Sequence, residues 1–292
     1  MTFPKSSRRL VTLSGTLLFT ALFLTSSNFA QELRKKNPAS KFFVTDVEGL
    51  SQVNTGEKIE ILTKKSVYSA QGTIVETKPD ATNAMVYSNG TGIFFDHDTR
   101  LEVRRFVQEP FTPNRTDMEV EPSISQTQSF LTRGVVGLCT SKLVAGSSMS
   151  YRTPHASVAV RGRKVVIETN DNFTKVSLLE GDVTVRGGDY DAGGQTLQPG
   201  QQAIITPGRS GTPNGIAIQS IPSGELRALE DKVTVACMAK NTVYFEVADR
   251  NTTNGGGKTA FDSLEQEIVP VVVVPANLPA PFVASPARIG NR

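Results

Sequence analysis

Residues 157–186 read Ser-Val-Ala-Val-Arg161-Gly162-Arg-Lys-Val-Val-Ile-Glu-Thr-Asn170-Asp-Asn-Phe-Thr-Lys-Val-Ser-Leu-Leu-Glu180-Gly181-Asp-Val-Thr-Val-Arg186. Four short runs rich in β-branched residues are divided by Gly162, by Asn170-Asp171-Asn172 and by Glu180-Gly181-Asp182. Alternation with period two on Val158/Val160, Val165/Ile167 and Val183/Val185 is that of half-buried strands, and the dividing residues are those that tight turns demand. Strands are therefore expected at Val158–Val160, Lys164–Thr169, Phe173–Leu179 and Val183–Arg186.

The same grammar extends in both directions. Lys41–Val47, Lys58–Leu62, Gly72–Thr77, Ala84–Ser88, Ile93–Phe95 and Leu101–Val107 precede it and Gln201–Ile205 follows, with turn residues at Ser88-Asn89-Gly90 and Pro199-Gly200. Many short strands at this spacing predict an all-β chain, an antiparallel β-sandwich, barrel or stacked-hairpin domain of jelly-roll or solenoid type. Glu109–Gln128, polar with three prolines, reads as a long surface loop, and Gly208–Gly215 as a flexible connection. Ser223–Lys240 then places Leu226, Leu229, Val233 and Cys237 on one face at helical spacing after a Pro-Ser start. A small helical C-terminal extension follows from this, although β-branched Val233-Thr234-Val235 leaves a strand open. Thr242–Val247 reads as a strand, Phe261–Ile268 as a short helix, and Val269–Arg292 as an extended Pro-rich tail. The Val271–Val274 run between Pro270 and Pro275 suits pairing at a sheet edge, either of its own domain or of a partner.

Residues 1–30 join a basic start (Lys5, Arg8, Arg9) to an apolar run from Leu10 to Leu24 and a polar exit at Phe29-Ala30-Gln31. That is the form of a secretory signal peptide cleaved after Ala30; the rival is an uncleaved anchor, which is the one route by which a membrane would enter. The expected location is periplasmic or secreted. The chain carries 31 basic and 28 acidic residues, and removal of the leader's three cations leaves the mature part neutral. A nucleic-acid partner loses its support with that charge. With two histidines and no tryptophan, a His-rich metal site is excluded and an aromatic carbohydrate platform is disfavoured.

The chemistry-bearing motifs have plain readings. Gly257-Lys258-Thr259 lacks the glycine that a phosphate loop needs five residues before Gly257, where Thr252 stands. Asp96-His97-Asp98 in an extended chain sends its carboxylates and its imidazole to opposite faces and reads as a solvated turn. Asp189 and Asp191 alone fall short of a calcium ligand set. His155 stands outside any triad or metal-helix pattern and reads as structural. Asn89, Asn114, Asn172 and Asn251 open glycosylation acceptor patterns. Cys139 and Cys237, the only cysteines, either bridge or lie apart as buried thiols. No catalytic, cofactor or metal residue is assigned.

One set of motifs goes further. Ala84-Met-Val-Tyr-Ser-Asn-Gly-Thr-Gly-Ile-Phe-Phe, Thr99-Arg-Leu-Glu-Val-Arg-Arg-Phe, Tyr151-Arg-Thr153-Pro154-His-Ala-Ser-Val-Ala-Val-Arg161-Gly162, Val176-Ser-Leu-Leu-Glu180-Gly181-Asp-Val-Thr-Val and Leu197-Gln-Pro-Gly-Gln-Gln-Ala resemble the FecR domain over about residues 66–207. Arg163 departs from the Thr that usually follows the Arg-Gly pair. The resemblance implies an exported, non-catalytic β module, without cofactor, that works through protein or cell-envelope contacts, with envelope signalling as its setting. The namesake's cytoplasmic anti-sigma segment is not expected, since nine residues precede the apolar run. The alternative is a carbohydrate-binding or surface-scaffold domain. The organisation is then a leader (1–30), an N-terminal β segment (31–65), the FecR-like domain (66–207), an extension with a helix (208–268) and the tail (269–292).

Overall fold

The computed structural model describes residues 40–111, 118–188, 191–209, 212, 214–249 and 266–273. The leader and its cleavage site, Gly257-Lys258-Thr259, Asn114, Asn251 and Asp189 lie outside the described residues. Over the described residues the chain is all-β with one helix near its C-terminus.

The strands are β1 (Lys41–Glu48), β2 (Ser51–Asn54), β3 (Ile59–Ile61), β4 (Val67–Ser69), β5 (Ile74–Thr77), β6 (Thr82–Tyr87), β7 (Gly92–Phe95), β8 (Arg100–Gln108) and β9 (Ser125–Cys139). They continue as β10 (Ser148–Arg152), β11 (Ser157–Val160), β12 (Lys164–Thr169), β13 (Thr174–Glu180), β14 (Val183–Arg186), β15 (Gln195–Leu197), β16 (Gln201–Thr206) and β17 (Gly215–Ser220). Helix α1 (Ser223–Thr242) and the hairpin β18 (Val243–Asp249)–β19 (Gln266–Val272) complete the fold.

Hairpins shuttle between two sheets. Sheet A runs β3-β2-β5-β8-β9-β10-β11-β14-β15. Sheet B runs β4-β1-β6-β7-β9-β12-β13-β16-β17. Every pair is antiparallel except β9–β10. One core cluster, including Val53, Leu101, Tyr151 and Val185 from sheet A and Phe42, Met85, Ile167 and Leu178 from sheet B, fills the space between them. The fold thus combines sandwich and stacked hairpins. Strands β1–β3, from the segment 31–65, are interleaved with β4–β6 in the same two sheets.

Strand β9 belongs to both sheets. Up to Arg133 it pairs with β8 in sheet A, and from Gly134 it pairs with β7 and β12 in sheet B. The corner falls at Gly134, whose φ of 92° is left-handed and whose missing Cβ would overlap Thr99. Thr99 Oγ1 accepts the Val135 amide at 2.9 Å and donates to the Val135 carbonyl at 3.1 Å, holding the bend. The expected loop at Glu109–Gln128 is corrected here, because Ser125–Gln128 form the start of this strand. Its inward residues Ser125, Thr127 and Ser129 are polar, so alternation in hydrophobicity gives no signal.

Sheet B is apolar on both faces, as continuous runs such as Phe42-Phe43-Val44 and Val165-Val166-Ile167 require. Helix α1 covers its outer face, burying Leu229 and Val233 against Val166 and Val135, Ala239 against Ala84 and Val86, and Ala236 over Gly92. Residues 233–235 are helical, and Leu226, expected on the buried stripe, is exposed. Phe245 of β18 and Ile268 of β19 extend the covered face over Phe43. The expected helix at Phe261–Ile268 is corrected for its described part: Gln266–Ile268 pair in β19, where Val269–Val272 find an edge within their own chain. Gly215 opens β17 rather than closing a flexible connection. Among the described residues, no helix is long and apolar enough to cross a membrane.

Candidate functional site

Two turns lie back to back at one rim of the sandwich. Arg161-Gly162-Arg163 links β11 to β12, and Gly181-Asp182 links β13 to β14. The Arg161 amide donates to the Asp182 carbonyl and the Arg163 amide to the Glu180 carbonyl, each at 2.9 Å. Both glycines are required by proximity. Gly181 has φ 99° and a Cβ on it would overlap Gly162 Cα, while one on Gly162 would stand 3.0 Å from the Glu180 carbonyl oxygen.

The charged side chains around these turns form a network. Glu180 pairs with Lys164 at 2.8 Å and Arg163 at 3.7 Å, and Arg163 also pairs with Glu119. The Lys164 hydrogen bond holds the Glu180 carboxyl below its ordinary range, against the opposing effect of burial. Arg163 therefore ties its turn to the 118–122 segment through charge. Glu119 in turn meets Lys240 of α1 at 3.2 Å; that lysine is 3% exposed.

Beneath this network Cys139, the last residue of β9, is joined to Cys237 of α1, with the Cα atoms 5.0 Å apart. Both cysteines, Glu119, Arg163, Glu180 and Lys240 line one crevice. It runs into a groove beside the helix, where Leu179, Leu226, Val233 and Met238 supply apolar walls. Met238 is 60% exposed, and with Leu226, also exposed, it gives this groove an apolar border.

The helix lies close to the sheet because two strands carry glycine under it. A Cβ on Gly92 would overlap the Ala236 carbonyl oxygen, and one on Gly137 would stand 3.0 Å from that of Lys232. Lys232 pairs with Asp96 at the end of β7, beside the Phe94 ring. Burial alone would raise the Asp96 carboxyl, but the hydrogen bonds from Lys232 and the His97 amide outweigh it and hold it below the ordinary range. Asp96-His97-Asp98 is thus more than a solvated turn: Asp96 anchors the helix and Asp98 pairs with Arg133 at 2.9 Å.

Thr153 and Pro154 are not brought to the crevice. Thr153 Oγ1 accepts the His155 and Ala156 amides and lies 2.8 Å from Thr174 Oγ1, which lies 2.8 Å from Thr169 Oγ1. His155 is buried there, with Nε2 2.9 Å from the Asn170 carbonyl oxygen. This hydroxyl stack fastens one turn to the neighbouring hairpin. Asp191 accepts three amides of its own loop, from Gly187, Gly193 and Gly194. Asn89 is buried with its amide donating to Ser125 Oγ, which closes that glycosylation pattern, whereas Asn172 is exposed.

Around the crevice Glu119, Arg163, Lys164, Glu180 and Lys240 are paired with one another. Sequence reasoning missed Glu119, Lys232, Lys240 and the two glycines under the helix. Lys232, Ala236, Ala239 and Lys240 do fall on the same helical stripe as Leu229 and Val233. A lysine within an apolar stripe was the available signal.

No family model and no curated protein matches the chain. Two crystal structures of a "putative anti-sigma factor" from Parabacteroides distasonis ATCC 8503 are similar to it, each at 16% identity, with TM-scores of 0.39 and 0.38. The matches cover 53% of this chain and 62% and 63% of those chains, so it spans less than two thirds of their length.

Proposed function

We propose that this chain is a non-catalytic, exported module of FecR type, set in envelope signalling, which acts through protein or cell-envelope contacts at the α1 crevice and the apolar groove it runs into. One observation carries the reading. The two turns of the Arg-Gly and Glu-Gly motifs and the only two cysteines converge on a single crevice, at the rim of an exposed helix. A disulfide that closes so long a segment suits an oxidising compartment, in keeping with the leader-like residues 1–30. Exposed Met238 and Leu226 beside a charged rim suit the apolar centre and polar border of a protein contact.

The test is photo-crosslinking in intact cells, with a photoreactive residue at Met238 and, as a control, at Thr184 on sheet A. A partner adduct from position 238 alone, on chains that begin at Gln31 in the periplasmic or secreted fraction, is the expected result. Reduced cysteines in a cytosolic chain, or identical adducts from both positions, would overturn the proposal.

A further inference from the structure

Of eight large apolar side chains exposed among the described residues, four (Leu50, Ile59, Ile61 and Val67) lie within residues 50–67, at one end of the sandwich. Ile59 and Ile61 are 66% and 65% exposed, and both belong to β3, the edge strand of sheet A. Burial in this domain does not explain them.

The backbone of β3 is open in the same place. The Leu62 amide donates to the Ser51 carbonyl, and the Thr55 amide to the Lys58 carbonyl. With Gln52 opposite Ile61 and Asn54 opposite Ile59, the ladder bonds to β2 fall on residues 58, 60 and 62. In an antiparallel ladder the alternate residues turn their N–H and C=O groups the other way. Ile59 and Ile61 therefore offer main-chain donors and acceptors outward, and their side chains stand on the outer face beside that open edge. The opposite edge of sheet B differs, since Ile216 and Ile218 of β17 are half-buried against the core.

We propose that β3 is a self-association edge and that its occupant is the β3 strand of a second copy, paired antiparallel about a two-fold axis at Ile59. Such an axis sets the two Ile59 residues opposite each other as a hydrogen-bonded pair, using the outward groups of both strands. Lys58 of each copy then faces Glu60 of the other in a non-hydrogen-bonded pair, where side chains are closest. These two residues already pair within one copy at 2.8 Å, with 62% and 37% side-chain exposure, so both reach the rim. Leu50, Ile59 and Ile61 of the two copies form one apolar strip across the joined sheet. Charge complementarity favours a second copy: the strand that fits must present an acid opposite Lys58, a base opposite Glu60 and a β-branched residue between them. β3 itself has that order.

Sedimentation velocity on the purified, disulfide-intact protein over a concentration series tests this. The expected result is a concentration-dependent dimer, lost in the double variant Ile59→Lys/Ile61→Lys with its melting curve retained. Lys58→Glu changes two facing pairs from attraction to repulsion and is expected to weaken the dimer about tenfold. Adding Glu60→Lys restores it. Lys58→Glu alters only an exposed side chain and reads the same edge where the double lysine variant does not fold. A monomer throughout the series, a dimer indifferent to Ile59 and Ile61, or one indifferent to Lys58→Glu would overturn the proposal.

Discussion

Replacing Gly92 by alanine tests whether the helix seat is set by backbone contact. The φ of Gly92 is not left-handed, so alanine is free to adopt this backbone and only the space above it decides the outcome. Its methyl would overlap the Ala236 carbonyl oxygen and lie 2.9 Å from the Ala236 carbonyl carbon and 3.1 Å from Lys240 Cβ. The first two are helix backbone and cannot rotate aside. To bring the carbon alone to an ordinary 3.4 Å, the helix must lift by 0.5 Å, and the oxygen demands more. A gap of that size forfeits about a quarter to a half of each dispersion contact it opens, here those of Leu229, Val233 and Ala236. The cost is expected at the upper end of overpacking, about 3 kcal/mol. At about 2–4 °C per kcal/mol for a domain of this size, the melting temperature falls by about 6–12 °C. Gly137→Ala, whose nearest contact is 3.0 Å, is expected to cost about 1 kcal/mol. Urea denaturation followed by circular dichroism, with hydrogen exchange on α1, measures both variants. A Gly92→Ala protein within about 0.5 kcal/mol of wild type, the usual range of an innocuous surface change, would refute a seat fixed by backbone contact.

Cys139→Ala/Cys237→Ala removes a bridge across a sequence separation of 98, so about 4–5 kcal/mol should be lost in urea melts, and a loss below about 1 kcal/mol would contradict this. Asp96→Asn should cost about 1–2 kcal/mol at pH 7, the pair with Lys232 being partly screened. The Asp96 carboxyl is held below its unfolded value of about 3.9, so its contribution is present above that pH and lost as pH falls through the folded value. The variant and wild type should therefore converge in acid, and a constant gap from pH 7 to 2 would count against the pairing. Glu121 is opposite in sign. Burial raises its carboxyl despite hydrogen bonds from Ser147, the Val144 amide and Ser125, so stability falls as pH rises from about 4.3 towards the raised folded value. Glu121→Gln should gain on wild type between pH 4 and pH 7 in equilibrium denaturation; no relative gain would refute it.

Much of the architecture was legible because its causes are local. Alternation in Val158/Val160 and Val183/Val185 is visible over a few residues, and Gly162, Asn170 and Gly181 mark where the chain turns. The stripe of Leu229, Val233 and Cys237 likewise announced the helix. Continuous apolar runs at Phe42–Val44 and Val165–Ile167 also carried the information that sheet B is covered on both faces, once its cover was seen. β9 was illegible for the opposite reason. The buried positions in its first half, Ser125, Thr127 and Ser129, are polar, so no hydrophobic period marks it.

The sequence by itself determined the strands that alternate or run continuously apolar, such as β1, β11, β12 and β14, the turns between them and the amphipathic helix. Each follows from side-chain periodicity or from the backbone freedom of one residue, whereas β2, β4, β9, β10, β15 and β17 are too short or too polar to stand out in that way. Only the tertiary structure decided that Gly92 and Gly137 make a seat for that helix, that Lys232 reaches Asp96, and that Cys139 meets Cys237. It also decided that β3 is left with open backbone and bare isoleucines at one end. These are contacts, or missing contacts, between segments far apart in the chain, fixed by how two sheets stack and where the helix has room to lie.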